Sequence, residues 1–224
     1  MGFIEQLTTQ FEAHRNEANA LPMHAYMKHL FPYLGIKAPL RKTLLKGSVK
    51  AHKDELNTNT TAITKALYEK KEREYHYVAF EVYARFKKRH YKTRDLAFIE
   101  YLITTHSHWD SVDFIAKHIL GPFLLEHPQL TANTIERYAT SENMWLNRSA
   151  LLFQLGYKDQ TDFKLLTQLC VAHKASNEFF IRKAIGWALR EYAKIDMTRV
   201  VTFVNSTTLK PLSRKEALKH YKNN

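Results

Sequence analysis

Trp109-Asp110-Ser111-Val112-Asp113-Phe114 is a short phrase that the chain restates in altered form. Trp145-Leu146-Asn147-Arg148-Ser149-Ala150 and Phe180-Ile181-Arg182-Lys183-Ala184-Ile185 follow it, and Glu74-Tyr75-His76-Tyr77-Val78-Ala79-Phe80 precedes it, at roughly 35-residue intervals. Ser213-Arg214-Lys215-Glu216-Ala217-Leu218 continues the series. Each phrase begins a helix by its spacing. Each follows a shorter helical pattern, over residues 60–70, 94–105, 131–140, 161–173 and 196–205. Nothing between them alternates with the period of a strand. A step of this length belongs to stacked helical pairs, because one pair alone cannot bury its apolar face. The predicted fold is therefore all-α: an α-solenoid of HEAT or armadillo-like helical pairs with a concave basic face. It is one domain over residues 1–224, with N-terminal helices in 1–58 and diverged pairs in 59–224.

The founding phrase also carries chemistry. Ser107 and Asp110 have the spacing of a capping box, with the hydroxyl taking a first-turn N–H and the carboxylate at the positive helix end. Asp113 lies beyond the first turn and cannot cap. It stands four residues after Trp109, so indole and carboxylate share a helical face. At the repeat step its slot is held by Arg148 and then by Lys183. A row of cations could track phosphates, whereas a carboxylate among them repels a duplex and calls for a local use. Two readings of Asp113 stand side by side: a catalytic carboxylate, or a structural ion pair with Arg148.

Composition narrows the classes. With 34 Lys+Arg against 22 Asp+Glu, the chain has a formal charge of +12 and a pI near 9.6. That favours a polyanionic partner. A hydrophobic share of 45% argues against disorder, and six Gly with six Pro are too few for a turn-rich sheet fold. The single cysteine, Cys170, excludes an intramolecular disulfide framework and suits a reducing compartment. The start, Met1-Gly2-Phe3-Ile4-Glu5-Gln6, has neither the basic nor the apolar region of a secretory signal, and Gln6 breaks a myristoylation motif. No apolar run reaches membrane-spanning length. The expected location is cytoplasmic, with no membrane partner.

The first third predicts a helix over residues 3–15 (Phe3, Leu7, Phe11) and another over 23–33. Gly35 then breaks the chain, and Pro39 opens a third helix containing Leu40, Leu44, Leu45 and Val49. Lys37 and Arg41 flank that helix start, which is a phosphate seat on one reading and a solvated turn on the other. Trp145 reads as core. Trp109 and Trp187 admit a second reading, Trp187 because Arg190 and Lys194 share its face. The run Arg85-Phe86-Lys87-Lys88-Arg89-His90 is a solvated face or a phosphate contact. The histidines near the phrase, His106, His108 and His118, lack a zinc-site pattern. No P-loop, G-x-S-x-G or G-x-G-x-x-G occurs, so no metal or cofactor is expected.

Taken together, these residues resemble the AlkD-type DNA glycosylases, bacterial HEAT-like-repeat enzymes that excise alkylated purines. The likeness covers nearly the whole chain. It rests on Leu34-Gly35-Ile36 with Pro39 and Arg41, Arg73-Glu74, Trp109 to Asp113, Trp145-Leu146-x-Arg148, Leu152-Phe153-Gln154-Leu155, the run Glu178 to Lys194, and Pro211-Leu212-Ser213. The resemblance implies that Asp113 is the catalytic carboxylate. It implies that Trp109 and Trp187 embrace the lesion's sugar and backbone, with Arg148 as the cationic neighbour. Lys37, Arg41, Lys183, Arg190 and Lys194 would then contact DNA. His108 and Gly156 depart from the family pattern, standing where an aromatic and a basic residue are expected. The implied activity is monofunctional hydrolysis of N3- and N7-alkylpurine glycosidic bonds in duplex DNA, without metal, cofactor or obligate protein partner. The alternatives are a non-catalytic protein that binds damaged or branched DNA, and a HEAT scaffold for an acidic protein.

Overall fold

A computed structural model describes residues 1–221, which contain helices and connecting turns and no strand. The chain divides into two compact units, one ending at His90 and the next beginning at Tyr91.

The first unit holds α1 (Phe3–Ala13), α2 (Glu17–Tyr26), α3 (Ala38–Ala51), α4 (Lys53–Tyr68) and α5 (Arg73–Lys87). Phe3, Leu7 and Phe11 form the fully buried face of α1, which packs on α3 and α4, while α4 packs along α5. The second helix does not run over 23–33 as the spacing predicts. Asn16 starts it early, its side chain accepting the Asn19 N–H at 3.0 Å. Left-handed Lys28 (φ 55°) and His29 (φ 60°) follow its end. Met27, Phe31 and Tyr33 are then buried from an irregular segment, against Ala20, Met23 and Tyr77. Apolar residues three or four apart bury from such a segment as well as from a helix, so periodicity misplaces this element.

Gly35 anchors the next loop. Its φ is +85°, and a Cβ there would lie 1.9 Å from the Asn16 carbonyl oxygen. The fully buried Glu74 holds this loop, accepting N–H bonds from Leu34 (3.0 Å), Gly35 (2.9 Å) and Ile36 (3.1 Å). Burial pushes the Glu74 pKa up, and the three amides oppose it. The third helix starts as predicted with Pro39 in its first turn. Its buried positions, however, are Arg41, Ser48 and Val49, while Leu40 is exposed.

The second unit contains α6 (Asp95–Thr104), α7 (Trp109–Ile115), a π-helical turn (Ala116–Leu120), α8 (Gly121–Glu126), α9 (Thr131–Ala139), α10 (Met144–Leu152), α11 (Phe163–His173), α12 (Phe179–Tyr192), α13 (Met197–Ser206) and α14 (Pro211–Ala217). The predicted pairs α6/α7, α9/α10, α11/α12 and α13/α14 are all present. Side-chain caps explain several starts: Asn143 accepts from Trp145 N at 2.9 Å, Asp162 from Leu165 N at 2.9 Å, and Asp196 from Arg199 N at 2.9 Å. Asn147 donates to the carbonyls of Tyr138 and Ser141, both at 2.8 Å, and so ties α10 to the end of α9. The tenth helix touches α6, α7, α9, α11 and α12, and is thus the central element of this unit. That position carries Arg148.

Candidate active site around Asp113 and Arg148

The helix bearing Asp113 starts one residue later than the predicted box requires. His108 is its N-cap. Ser111, not Ser107, completes the box, donating its hydroxyl to the His108 carbonyl at 3.1 Å and accepting the His108 N–H at 3.4 Å. Ser107 instead donates back to the Ile103 carbonyl at 2.6 Å, at the end of α6. Asp110 retains its place in the first turn, and Asp113 lies one turn further on.

Arg148 engages Asp113 through both carboxylate oxygens, Nε to Oδ1 at 2.7 Å and Nη2 to Oδ2 at 2.8 Å. This parallel geometry suits a planar guanidinium and fixes the carboxylate's orientation. Arg148 is itself held from a third direction, because Nη1 donates to the Phe180 backbone carbonyl. Its guanidinium also lies 5.8 Å from the centre of the Phe180 ring. The Arg148 side chain is only 5% exposed, whereas Asp113 keeps 14%. Arg148 is therefore the more buried of the two, and the Asp113 side chain retains a small exposure. Burial raises the Asp113 pKa above its ordinary value; the Arg148 hydrogen bonds and charge oppose the rise, Asp110 adds to it, and His108 opposes it.

Aromatic rings gather beside the pair. His108 is buried, with its ring centre 5.6 Å from Phe180, 5.8 Å from Trp145 and 6.3 Å from Trp109. Trp145 packs on Phe180 at 5.2 Å. Trp145, expected as core, is thus a half-buried member of this cluster. The position where an aromatic was expected, His108, still carries a flat ring packed among its neighbours.

The other predicted residues are placed as follows. Trp109 and Trp187 are both half-buried, but no hydrogen bond, ion pair or ring contact joins Trp187 to Asp113 or Arg148. Lys183 and Arg190 converge on Glu216: Lys183 Nζ lies 2.7 Å from Oε1, Arg190 Nη1 lies 2.5 Å from Oε2, and Arg190 Nη1 reaches the Glu216 backbone oxygen at 3.0 Å. These two cations hold the Glu216 carboxyl down at about 2. Lys194 pairs with Glu191 at 2.7 Å on the exposed surface. In the first unit Arg41 is buried, bonded to Glu81 at 3.0 Å and set 4.8 Å from the Tyr77 ring centre. Lys37 is exposed at the N-cap of α3. The row of repeat-equivalent positions thus falls into ion pairs, Asp113 with Arg148 and Lys183 with Glu216. Sequence reasoning missed Phe180 and Glu216. Phe180 could have been found, since it holds the repeat slot of Trp109 and Trp145.

Fold and site together define an all-α helical-repeat protein with a semi-buried carboxylate clamped by an arginine among aromatic rings. Residues 7–221 match the family described as DNA alkylation repair enzyme, and the chain belongs to that family. A solved structure described as a predicted DNA alkylation repair enzyme from Enterococcus faecalis is 33% identical, covers 94% of this chain and 98% of its own, and superposes with a TM-score of 0.84. No curated protein matches. Among the described residues, no helix is long and apolar enough to cross a membrane.

Proposed function

We propose that this protein is a monofunctional DNA glycosylase that hydrolyses the N-glycosidic bond of cationic N3- and N7-alkylpurines in duplex DNA. The observation that carries the reading is Asp113 held at both oxygens by a buried arginine, on a side chain that keeps 14% of its surface exposed. Alkylation gives the purine a positive charge, so the bonding pair leaves with the base and neutralises it. The sugar left behind is oxocarbenium-like at C1′. Water then adds at C1′ and loses a proton. An ionised carboxylate stabilises the sugar cation and orients that water, and does so most effectively where solvent is sparse. Arg148 uses about two of the four acceptor positions that a carboxylate offers, leaving the others for water. It also favours the ionised form that burial disfavours. The half-buried faces of Trp109 and Trp187 suit cation–π contact with the lesion and its sugar. Such a leaving group needs no general acid, and the mechanism asks only Asp113 to act on the sugar.

The deciding experiment is single-turnover excision of 7-methylguanine from duplex DNA by Asp113→Asn. The isosteric amide keeps the packing and removes the charge. The expected loss is roughly 10²–10³ in rate, corresponding to ~3–4 kcal/mol of electrostatic stabilisation, with duplex binding retained or tighter. Wild-type rates in the variant would sink the reading. Tight binding by the wild type with no excision of any alkylpurine would favour the non-catalytic DNA-binding alternative.

A further inference from the structure

Several cations named as candidates from the sequence are engaged by acids of the protein itself: Arg148 by Asp113, Lys183 and Arg190 by Glu216, Arg41 by Glu81. The exposed lysines of α3 stand apart from these, and the span Ala38–Ala51 contains no acidic residue. Lys42, Lys46 and Lys50 are exposed on it and, among the described residues, make no ion pair or hydrogen bond through their side chains. Four-residue steps keep them on one face, advancing about 6 Å along the axis each time. Pro39 and Thr43 share that exposed face, and Thr43 turns its hydroxyl inward to the Pro39 carbonyl at 3.1 Å. Gly47, about 60° round the helix from Lys50, stands on the flank of this face; it is exposed in the helix interior, where a Cβ would meet nothing within 4 Å. Packing therefore does not require a glycine there. Its presence weakens the helix relative to alanine, and it leaves the flank of the lysine face locally bare of side chain.

We infer that α3 lays this face along the sugar–phosphate backbone of duplex DNA, with Lys42, Lys46 and Lys50 on successive phosphates and Gly47 at the point of closest backbone approach. The inference rests on the DNA reading of the preceding section and adds a contact surface in the first unit, distinct from the residues around Asp113. A phosphate backbone is the occupant that matches the face, because three unpaired ammonium groups in line and a side-chain-free helix surface fit a continuous polyanion. None of these lysines reads a base, so the contact is indifferent to sequence.

The test uses the full chain and a fluorescein-labelled undamaged duplex, with affinity measured by anisotropy across a salt series. The triple variant Lys42→Gln, Lys46→Gln, Lys50→Gln is compared with a charge-matched control at the exposed Lys164, Lys174 and Lys219. Loss of three phosphate contacts should lower the log K against log salt slope by nearly 3 and weaken binding by roughly one to two orders of magnitude near 0.1 M salt. The control should move affinity less than about threefold. Gly47→Leu carries no charge change and has room for its side chain, so its melting temperature should hold or rise while affinity falls several-fold. Equal slopes for the stripe variant and the control would overturn the inference, and undiminished affinity in Gly47→Leu would overturn the close approach. A wild type that excises 7-methylguanine but tolerates the stripe variant leaves the glycosylase reading standing and this inference refuted. A wild type with no salt-dependent duplex binding removes both.

Discussion

Arg148 reaches 35 residues back along the chain to hold both oxygens of Asp113, and the next equivalent pair, Lys183 and Glu216, closes across 33. One repeat is thus fastened to its neighbour by a cation and a carboxylate from corresponding slots. In the first of these pairs the acid stays partly open while the arginine is sealed behind it. In the proposed reaction, that remaining exposure of Asp113 is what would let the carboxylate meet a developing sugar cation.

The pair sets an expected pH profile. Burial holds the Asp113 pKa above its ordinary value of 3.8 and Arg148 opposes that rise. The proposed mechanism needs the ionised acid, so the acid limb of single-turnover excision should lie above the usual carboxylate range. In Arg148→Gln the opposing charge is gone, and the limb should move to still higher pH while the plateau rate falls. Arg148→Lys should restore part of the pH behaviour but not the plateau, because an ammonium cannot grip both oxygens. An acid limb that stays put in Arg148→Gln would separate Asp113 from the rate.

Glu216 predicts a window of pH-dependent stability. Its folded pKa of about 2 lies below the ordinary 4.5, so the folded state favours the ionised form. The contribution is complete above about 4.5 and disappears as pH falls towards 2. Thermal melts should therefore show Glu216→Gln less stable than wild type at neutral pH. The gap in melting temperature should close through that acid window. A constant gap would mean that the stabilisation is not ionic.

Glu74 carries three backbone amides of the loop 34–36. Glu74→Ala leaves those buried donors without their acceptor, at ~1–3 kcal/mol each if none is recovered by water. The expected loss is several kcal/mol, read as a lowered denaturation midpoint. Glu74→Gln keeps an acceptor oxygen and should lose less. Equal losses in the two variants would refute the amide-cradle explanation.

Gly186 sits at a tight approach of α12 to α14: a Cβ would fall 2.3 Å from the Glu216 Cβ and 2.8 Å from the Ser213 carbonyl oxygen. Gly186→Ala should cost about 1–3 kcal/mol or more by overpacking, despite the higher helix propensity of alanine. It should also loosen the grip of Lys183 and Arg190 on Glu216, which a raised Glu216 pKa measured by NMR titration would register. A variant as stable as wild type would mean that the helices separate without penalty.

The repeat step alone was enough to establish an all-helical fold and to locate the starts of α7, α10, α12 and α14, because stacked pairs must present an apolar stripe at a regular interval. The same step brought Asp113, Arg148 and Lys183 into one row and allowed an Asp113–Arg148 pair. Local chemistry was less legible. The N-cap of α7 is His108 rather than Ser107, because Ser111 satisfies the cap from inside the helix, while Ser107 spends its hydroxyl on Ile103. Only the tertiary structure decided that Arg41, Lys183 and Arg190 are already paired while the α3 lysines are not, since a charge's partner depends on which distant acid packing brings within reach. Only packing, likewise, buried Arg148 further than Asp113, and with it decided which member of the pair faces outward.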